Sequence, residues 1–284
     1  MIASVIAFPN SEEEPRLPLP DRAAGVFIPG GSLSRGCEAN GLAFEVRPQQ
    51  ETMARAIAVA LTDRRHLAVE AGTGVGKSFA YLAPLLLQVA ENGQRAVVST
   101  YTISLQEQLI RKDLPFLRKY LGVEFEAVLV KGRGNYLCRR RLARAARMER
   151  DLFPDSEAGW IERLREWAEE TEGGTLQDLS SPPPPDVWDA VRSEEGNCLG
   201  AKCALSGSCF FMKARRRMHR ANLLVVNHHL LFSDLALRQR GGGFLPEFDA
   251  LVLDEAHQTE NVAAERLGLR LTPFAFEHWM RRLY

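Results

Sequence analysis

Five short apolar runs recur along the chain: HLAVEA, RAVVST, FEAVLV, NLLVVN and ALVLDEA. Each is rich in Val, Leu or Ala and is bounded by polar residues or Gly. Stretches with helical spacing separate several of them, including SFAYLAPLLLQVAENG and SLQEQLIRKDLPFLRKYL. A further helix is predicted over FEVRPQQETMARAIAVALTD, with Met53, Ile57, Ala60 and Leu61 as its apolar positions. Continuous apolar strands alternating with helices predict an α/β fold with a buried parallel sheet. There is no internal repeat. The pattern breaks between residues 131 and 220, where the chain turns charged and carries SSPPPP, Ser180 to Pro185, which suits no helix or strand interior. This stretch is expected to be a module inserted into an α/β domain built from residues 41–130 and 221–270. Residues 1–40, rich in Pro, Gly and acidic side chains, are expected to be loosely ordered.

Composition narrows the classes only a little. Net charge is zero over 284 residues, so any nucleic-acid surface must come from local clustering. The N-terminus, MIASVIAFPNSEEEPRLPLPD, lacks a basic flank before its apolar run, which argues against a secretory signal or a membrane span. A cytoplasmic protein without a membrane partner is expected. Five cysteines in such a chain are not a disulfide framework, and their clustering suggests metal or redox chemistry.

Two motifs carry nucleotide chemistry. Ala71-Gly72-Thr73-Gly74-Val75-Gly76-Lys77-Ser78 follows a short apolar run and opens an apolar helix, the setting a phosphate loop needs. Its glycines let backbone N–H groups converge on phosphate oxygens, and the helix N-terminus adds its dipole. Lys77 is expected at the β- and γ-phosphates of ATP and Ser78 at Mg²⁺. Asp254 and Glu255 end the last apolar run. Asp254 is expected to hold Mg²⁺, and Glu255 to orient and deprotonate the attacking water. Lys77, Asp254 and Glu255 are thus the candidate catalytic residues.

These motifs resemble those of superfamily 2 helicases, in which Asp254-Glu255-Ala256-His257 corresponds to the DEAH motif. VVSTYTISLQEQL, Val97 to Leu109, resembles the strand-end segment that touches the DNA backbone, which implicates Thr100. RPQQETMA, Arg47 to Ala54, resembles the glutamine motif that reads adenine, with Gln50 ahead of Gln49. VKGRGNYLCRRR and LLVVNHHLLF are similar to segments of the iron–sulfur branch, the XPD-like and DinG-like DNA helicases. The resemblance spans about residues 44 to 265. It implies a RecA-like P-loop motor domain interrupted by a mostly helical cluster domain. It further implies 5′-to-3′ movement on single-stranded or tailed duplex DNA, a role in DNA repair, and a helical arch starting within residues 271–284. Such helicases carry a second motor domain with an arginine that completes the ATP site. Nothing here resembles it, so a chain unable to unwind DNA alone is expected. No exonuclease-like stretch precedes the motor.

The same resemblance gives the cysteines a purpose. Cys198, Cys203 and Cys209 lie in one loop and Cys138 follows GRGNYL, the order seen in the DinG-like members. Four thiolates suit a [4Fe–4S] cluster, and a four-cysteine zinc site is the competing reading. Cys37 has no place in the pattern. Lys131 to Arg150 holds eight Lys or Arg and one acidic residue, and Lys213 to Arg220 adds five basic residues and no acid. That segregation favours a phosphate-tracking surface with Arg139, Arg140, Arg215 and Arg216 as contacts. Tyr136 is a candidate for base stacking, while Phe210 and Phe211 are expected to pack. The rival functions are a DNA-binding module with a vestigial ATP site and a zinc-stabilised ATPase acting on RNA.

Overall fold

A computed structural model describes residues 17–147, 159–268 and Met280. The elements in chain order are α1 (Leu19–Gly25), α2 (Ser32–Ala39), α3 (Pro48–Thr62), α4 (Lys77–Asn92), β1 (Ala96–Thr100), α5 (Ile103–Gln108) and α6 (Leu114–Leu121). They continue with β2 (Ala127–Leu129), α7 (Arg139–Ala145), α8 (Trp160–Glu170), α9 (Pro185–Val191), α10 (Phe210–Arg220), β3 (Leu223–Asn227), α11 (His228–Arg238), β4 (Ala250–Leu253) and α12 (Thr259–Leu267). These elements fall into two compact units. One comprises residues 1–94 and 111–125, the other residues 95–110 and 126–284.

The first unit is helical among its described residues. Small side chains let its helices approach closely: Ala23 of α1, Ala54 and Ala58 of α3, and Ala83 of α4 are wholly buried. Phe27, Val26, Leu19 and Leu87 fill the space around them. α4 is apolar nearly all round and buries Ala80 to Leu87, as a helix with no polar face must. Gly36 permits α2 to lie on α6, since a Cβ there would sit 2.5 Å from the Phe116 ring. The expectation of loose order therefore fails for residues 17–40, because Leu19, Ala23, Val26 and Phe27 supply enough apolar burial to fix two helices. Residues 1–16 lie outside the described residues.

The second unit holds a four-stranded parallel sheet in the order β2-β3-β1-β4. The chain is an α/β protein, as the alternating pattern predicts. Ala96 pairs with both Leu223 and Ala250, so β1 and β3 are interior strands and are almost wholly buried. β4 is an end strand with Leu251 and Leu253 partly exposed. The fifth apolar run, HLAVEA, is not a strand: residues 65–72 are irregular and Leu67 and Val69 are exposed. Apolar character makes a strand only where a neighbouring strand takes up the backbone N–H and C=O groups, and the described part of the first unit contains none.

Residues 131–220 share the second unit with the sheet but possess their own core. Leu137, Leu142, Ile161, Leu164, Val187, Val191 and Phe210 bury one another there. Isolated bridges from Tyr136 to Thr175 and from Leu137 to Arg192 tie the segment's start to its middle. The proline run ends as a helix start, with Pro185 at the first position of α9, where a missing N–H costs nothing. Arg95 fastens the sheet's lower edge by donating to the carbonyls of Ala221, His219 and Glu247 at 2.9, 2.9 and 3.0 Å.

Candidate nucleotide and DNA sites

The Gly-rich loop of the first unit is shaped by two left-handed residues. Gly74 has φ 80° and Gly76 has φ 82°, and Gly76 caps the 16-residue helix α4. The first N–H groups of α4 have no intrahelical acceptor and carry the positive end of the helix dipole, so the loop's head can take an anion. Two side chains brace the loop from α3. Gln50, nearly buried, donates from Nε2 to the Gly76 carbonyl at 2.9 Å. Arg47 donates from Nη1 to the Gly74 carbonyl at 2.7 Å and grips Glu45 with its other nitrogens. Lys77 Nζ lies 3.4 Å from the Ala71 carbonyl, folded over its own loop. Gln50 thus sits beneath the loop with its amide engaged, whereas Gln49 is exposed. Arg47 was visible in RPQQ but nothing in the pattern assigned it this brace.

In the second unit the parallel strands deliver their C-terminal ends to one edge, the side on which open α/β sheets bind ligands. β1 ends in Ser99-Thr100, β3 leads into Asn227-His228, and β4 leads into Asp254-Glu255. Three hydrogen bonds join these ends in a ring. Asp254 N donates to Ser99 O at 2.9 Å, His228 Nε2 to Asp254 O at 2.9 Å, and Ser99 Oγ to His228 Nδ1 at 2.7 Å. A carbonyl only accepts, so Nε2 carries the proton and Nδ1 receives the Ser99 hydroxyl. His228 is wholly buried, and burial holds it below the usual histidine range against the opposing pull of the Asp254 carbonyl. Asp254 is also buried, and its Oδ1 accepts from Glu255 N at 3.1 Å. Glu255 adopts φ 53°, ψ 46°, a left-handed conformation rare for a residue with a Cβ. His257 Nδ1 lies 3.5 Å from Glu255 Oε2.

Several expected DNA contacts are committed elsewhere. Thr100 is wholly buried, with its hydroxyl 3.4 Å from the Thr102 carbonyl, so the exposed part of its segment is Tyr101 to Ser104. Tyr136 belongs to the helical core, edge-on to Phe211 at 5.7 Å, and burial pushes its hydroxyl up to about 12. It cannot stack on a base from there. Arg139 pairs with Glu169 at 2.6 Å and lies over the Phe210 ring at 4.9 Å, clamping α7 to α8 and α10. Arg140 donates to the Asn197 carbonyl. Arg216 is exposed and Arg215 half-buried. The fuller basic feature is a stripe on α10: Lys213, Arg216, Arg217 and Arg220 are exposed at i, i+3, i+4 and i+7, while Phe210 and Met218 face inward. That spacing was present in KARRRMHR.

The cysteines are free thiols. Cys138 and Cys209 are the N-cap residues of α7 and α10, Cys203 follows a short 3₁₀ turn, and Cys198 is exposed with its sulfur accepting from Gly200 N at 3.3 Å. Among the described residues no three Cys, His, Asp or Glu side chains come together as a group that could hold a metal. The four thiolates are thus not gathered into one group in this conformation. Side chains link the segments, Arg140 reaching the Asn197 carbonyl and Arg139 lying over the Phe210 ring. Among the described residues, no helix is long and apolar enough to cross a membrane.

A Gly-rich loop heading a helix, with an acidic pair at a parallel strand's end, is the equipment of a P-loop nucleotide-binding protein. Residues 47–149 match the DEAD/DEAH box helicase family, and the chain carries a domain of that kind. Among such helicases it is similar to the DinG and YoaA group. It is 37% identical over 248 residues to the ATP-dependent DNA helicase YoaA of Escherichia coli, covering 87% of this chain and 38% of the relative. It is 34% identical over 254 residues to the ATP-dependent helicase DinG of Mycobacterium tuberculosis, covering 84% and 38%. A protein of Bacillus subtilis named 3′-5′ exonuclease DinG is 30% identical over 231 residues, covering 81% of this chain and 24% of its own length. The chain thus spans less than two fifths of the length of these relatives.

Proposed function

We propose that this chain is the ATP-binding first motor part of a DinG-like DNA helicase, coupling ATP hydrolysis to 5′-to-3′ movement along single-stranded or tailed duplex DNA in repair. The observation that carries the reading is the loop at the head of α4, held open by left-handed Gly74 and Gly76 and braced by Gln50 and Arg47. Such a loop offers backbone N–H groups and little side-chain bulk, which is what a triphosphate requires. Lys77 neutralises the β- and γ-phosphates, and Ser78 and Asp254 are the oxygen ligands for Mg²⁺. A carboxylate that is buried but held by backbone at a strand end fits that ion, because its geometry is set before the metal arrives. Mg²⁺ supplies charge neutralisation at the phosphoryl oxygens. Glu255 orients and deprotonates water, and Gln50 reads adenine from beneath the loop. The exposed stripe of α10, with Arg215 at its margin, follows the DNA backbone, and Arg140 on α7 is a further contact. A cytoplasmic location suits a chain whose described cysteines are all unpaired. Titration with MgATP tests the reading: micromolar-range binding that Lys77→Ala abolishes supports it, and equal binding by the two proteins refutes it.

A second reading concerns Cys138, Cys198, Cys203 and Cys209 as ligands of a [4Fe–4S] cluster. Three of them lie within one loop, and the contacts of Arg139 and Arg140 keep that loop beside Cys138. Metal binding couples to folding where the ligands are not yet gathered, so closure of residues 197–209 over Cys138 would accompany loading. Iron analysis of anaerobically prepared protein decides between iron, zinc and neither.

A further inference from the structure

We propose that His228 is a positioning residue that fixes the peptide between Asp254 and Glu255 and thereby aims both carboxylates. This rests on the nucleotide reading above for its purpose, but its geometry stands alone. The Asp254–Glu255 peptide is held at both ends. Its oxygen receives the His228 Nε2 proton at 2.9 Å, and its N–H is donated to Asp254 Oδ1 at 3.1 Å. Glu255 then continues in a left-handed conformation. Such a conformation costs an ordinary residue stability and persists only where its surroundings over-determine it. Here the restraint on the preceding peptide is a side chain with one protonated nitrogen and one acceptor, both used. Ser99 Oγ on Nδ1 selects the tautomer that places the proton on Nε2. The ring cannot rotate or invert without breaking both bonds in a site that excludes water. If the restraint is removed, the peptide is free to turn, Glu255 relaxes toward a common backbone conformation, and the Asp254 carboxylate loses the N–H that orients it. A residue chosen merely to fill the space would need no polar atoms there, and burying two of them unpaired would be costly.

Two substitutions separate positioning from packing. His228→Leu keeps the volume and removes both polar atoms, while His228→Gln places an amide N–H where Nε2 stands. Amide hydrogen exchange across residues 250–258 is the first readout and needs no nucleotide. His228→Leu is expected to raise exchange at Asp254, Glu255 and Ala256 at least tenfold while Val97, Val98 and Val225 stay protected, and His228→Gln is expected to restore most of it. The second readout is ATP affinity with Mg²⁺ and with EDTA. His228→Leu is expected to weaken MgATP about fivefold, the loss of one hydrogen bond, and to leave metal-free ATP unchanged. Should the leucine protein fail to fold, Ser99→Ala removes only the tautomer lock and is expected to show the same local pattern more weakly. Unchanged exchange at residues 254–256 in a folded His228→Leu protein overturns the proposal, as does a uniform rise over the whole sheet. Wild-type protein that binds no MgATP would overturn the nucleotide reading and leave the exchange result to decide this one.

Discussion

Three glycines of one loop should respond to the same substitution by three different amounts. At Gly72 an added Cβ meets nothing within 4 Å and the backbone is not left-handed, so Gly72→Ala should be close to neutral. At Gly74 there is again open space, but φ is 80°, and holding alanine there costs about 1 kcal/mol. At Gly76 the left-handed backbone is joined by a collision, since the new Cβ would stand 2.3 Å from Gln50 Nε2. Gln50 must then withdraw from the Gly76 carbonyl, losing a hydrogen bond worth about 1 kcal/mol. Gly76→Ala should therefore cost about 2–3 kcal/mol. The four tryptophans stand at positions 160, 167, 188 and 279, so their fluorescence does not report on the loop's unit. Hydrogen exchange of peptides from α3 and α4 does. Adding Gln50→Ala to Gly76→Ala should relieve the collision but restore neither the backbone conformation nor the hydrogen bond, leaving about 2 kcal/mol. Equal effects of Gly72→Ala and Gly76→Ala, or no coupling between positions 50 and 76, would refute the reasoning.

Other outcomes follow from single features. Asp234 is wholly buried and accepts from Phe244 N at 2.6 Å, Leu245 N at 2.9 Å and Arg238 Nε at 2.6 Å. Asp234→Ala should destabilise the second unit by about 3–5 kcal/mol, measured by urea unfolding of tryptophan fluorescence. Tyr136 should ionise near pH 12 in an ultraviolet titration. Its folded value lies above the unfolded value of 10.0, so the stability it contributes is complete below pH 10 and lost as pH rises toward 12. On the α10 stripe, each of Arg216→Ala and Arg217→Ala should lower the log–log salt slope of single-strand binding by about 0.7, while Arg139→Ala should lower stability instead. Anaerobic protein should contain about four irons, lost in Cys198→Ser and kept in Cys37→Ser, and stoichiometric zinc without iron would refute the cluster.

Four of the five apolar runs became strands because interior parallel strands need continuous apolar sequence, and that demand is written locally. HLAVEA carries the same local signal and fails, since pairing is supplied by a neighbour and no residue of the run encodes its neighbour. The loop was legible for a related reason: glycine at Gly74 and Gly76 answers a backbone requirement that no other residue meets cheaply. Bracing by Arg47 and the ring through Ser99 and His228 were not legible, because each joins residues far apart in sequence through atoms that have many alternative uses. The charge of Arg139 pointed to phosphate, and only the fold shows it spent on Glu169 and Phe210. Thr100 and Tyr136 fail similarly, since polarity at one atom does not reveal how much of the side chain is buried.

The centre of the sheet is β1, and both of its neighbours lie far downstream, Leu223 and Ala250 being the partners of Ala96. During synthesis the segment AVVST leaves the ribosome with neither hydrogen-bonding edge satisfied. At roughly 5–20 residues per second, β3 follows only after a wait on the order of ten seconds. Throughout that interval the strand's apolar side chains and bare backbone are open to any other extended chain. Slow translation lengthens this exposure, so supplying holding chaperones should raise the soluble yield more than any stabilising change within the finished fold.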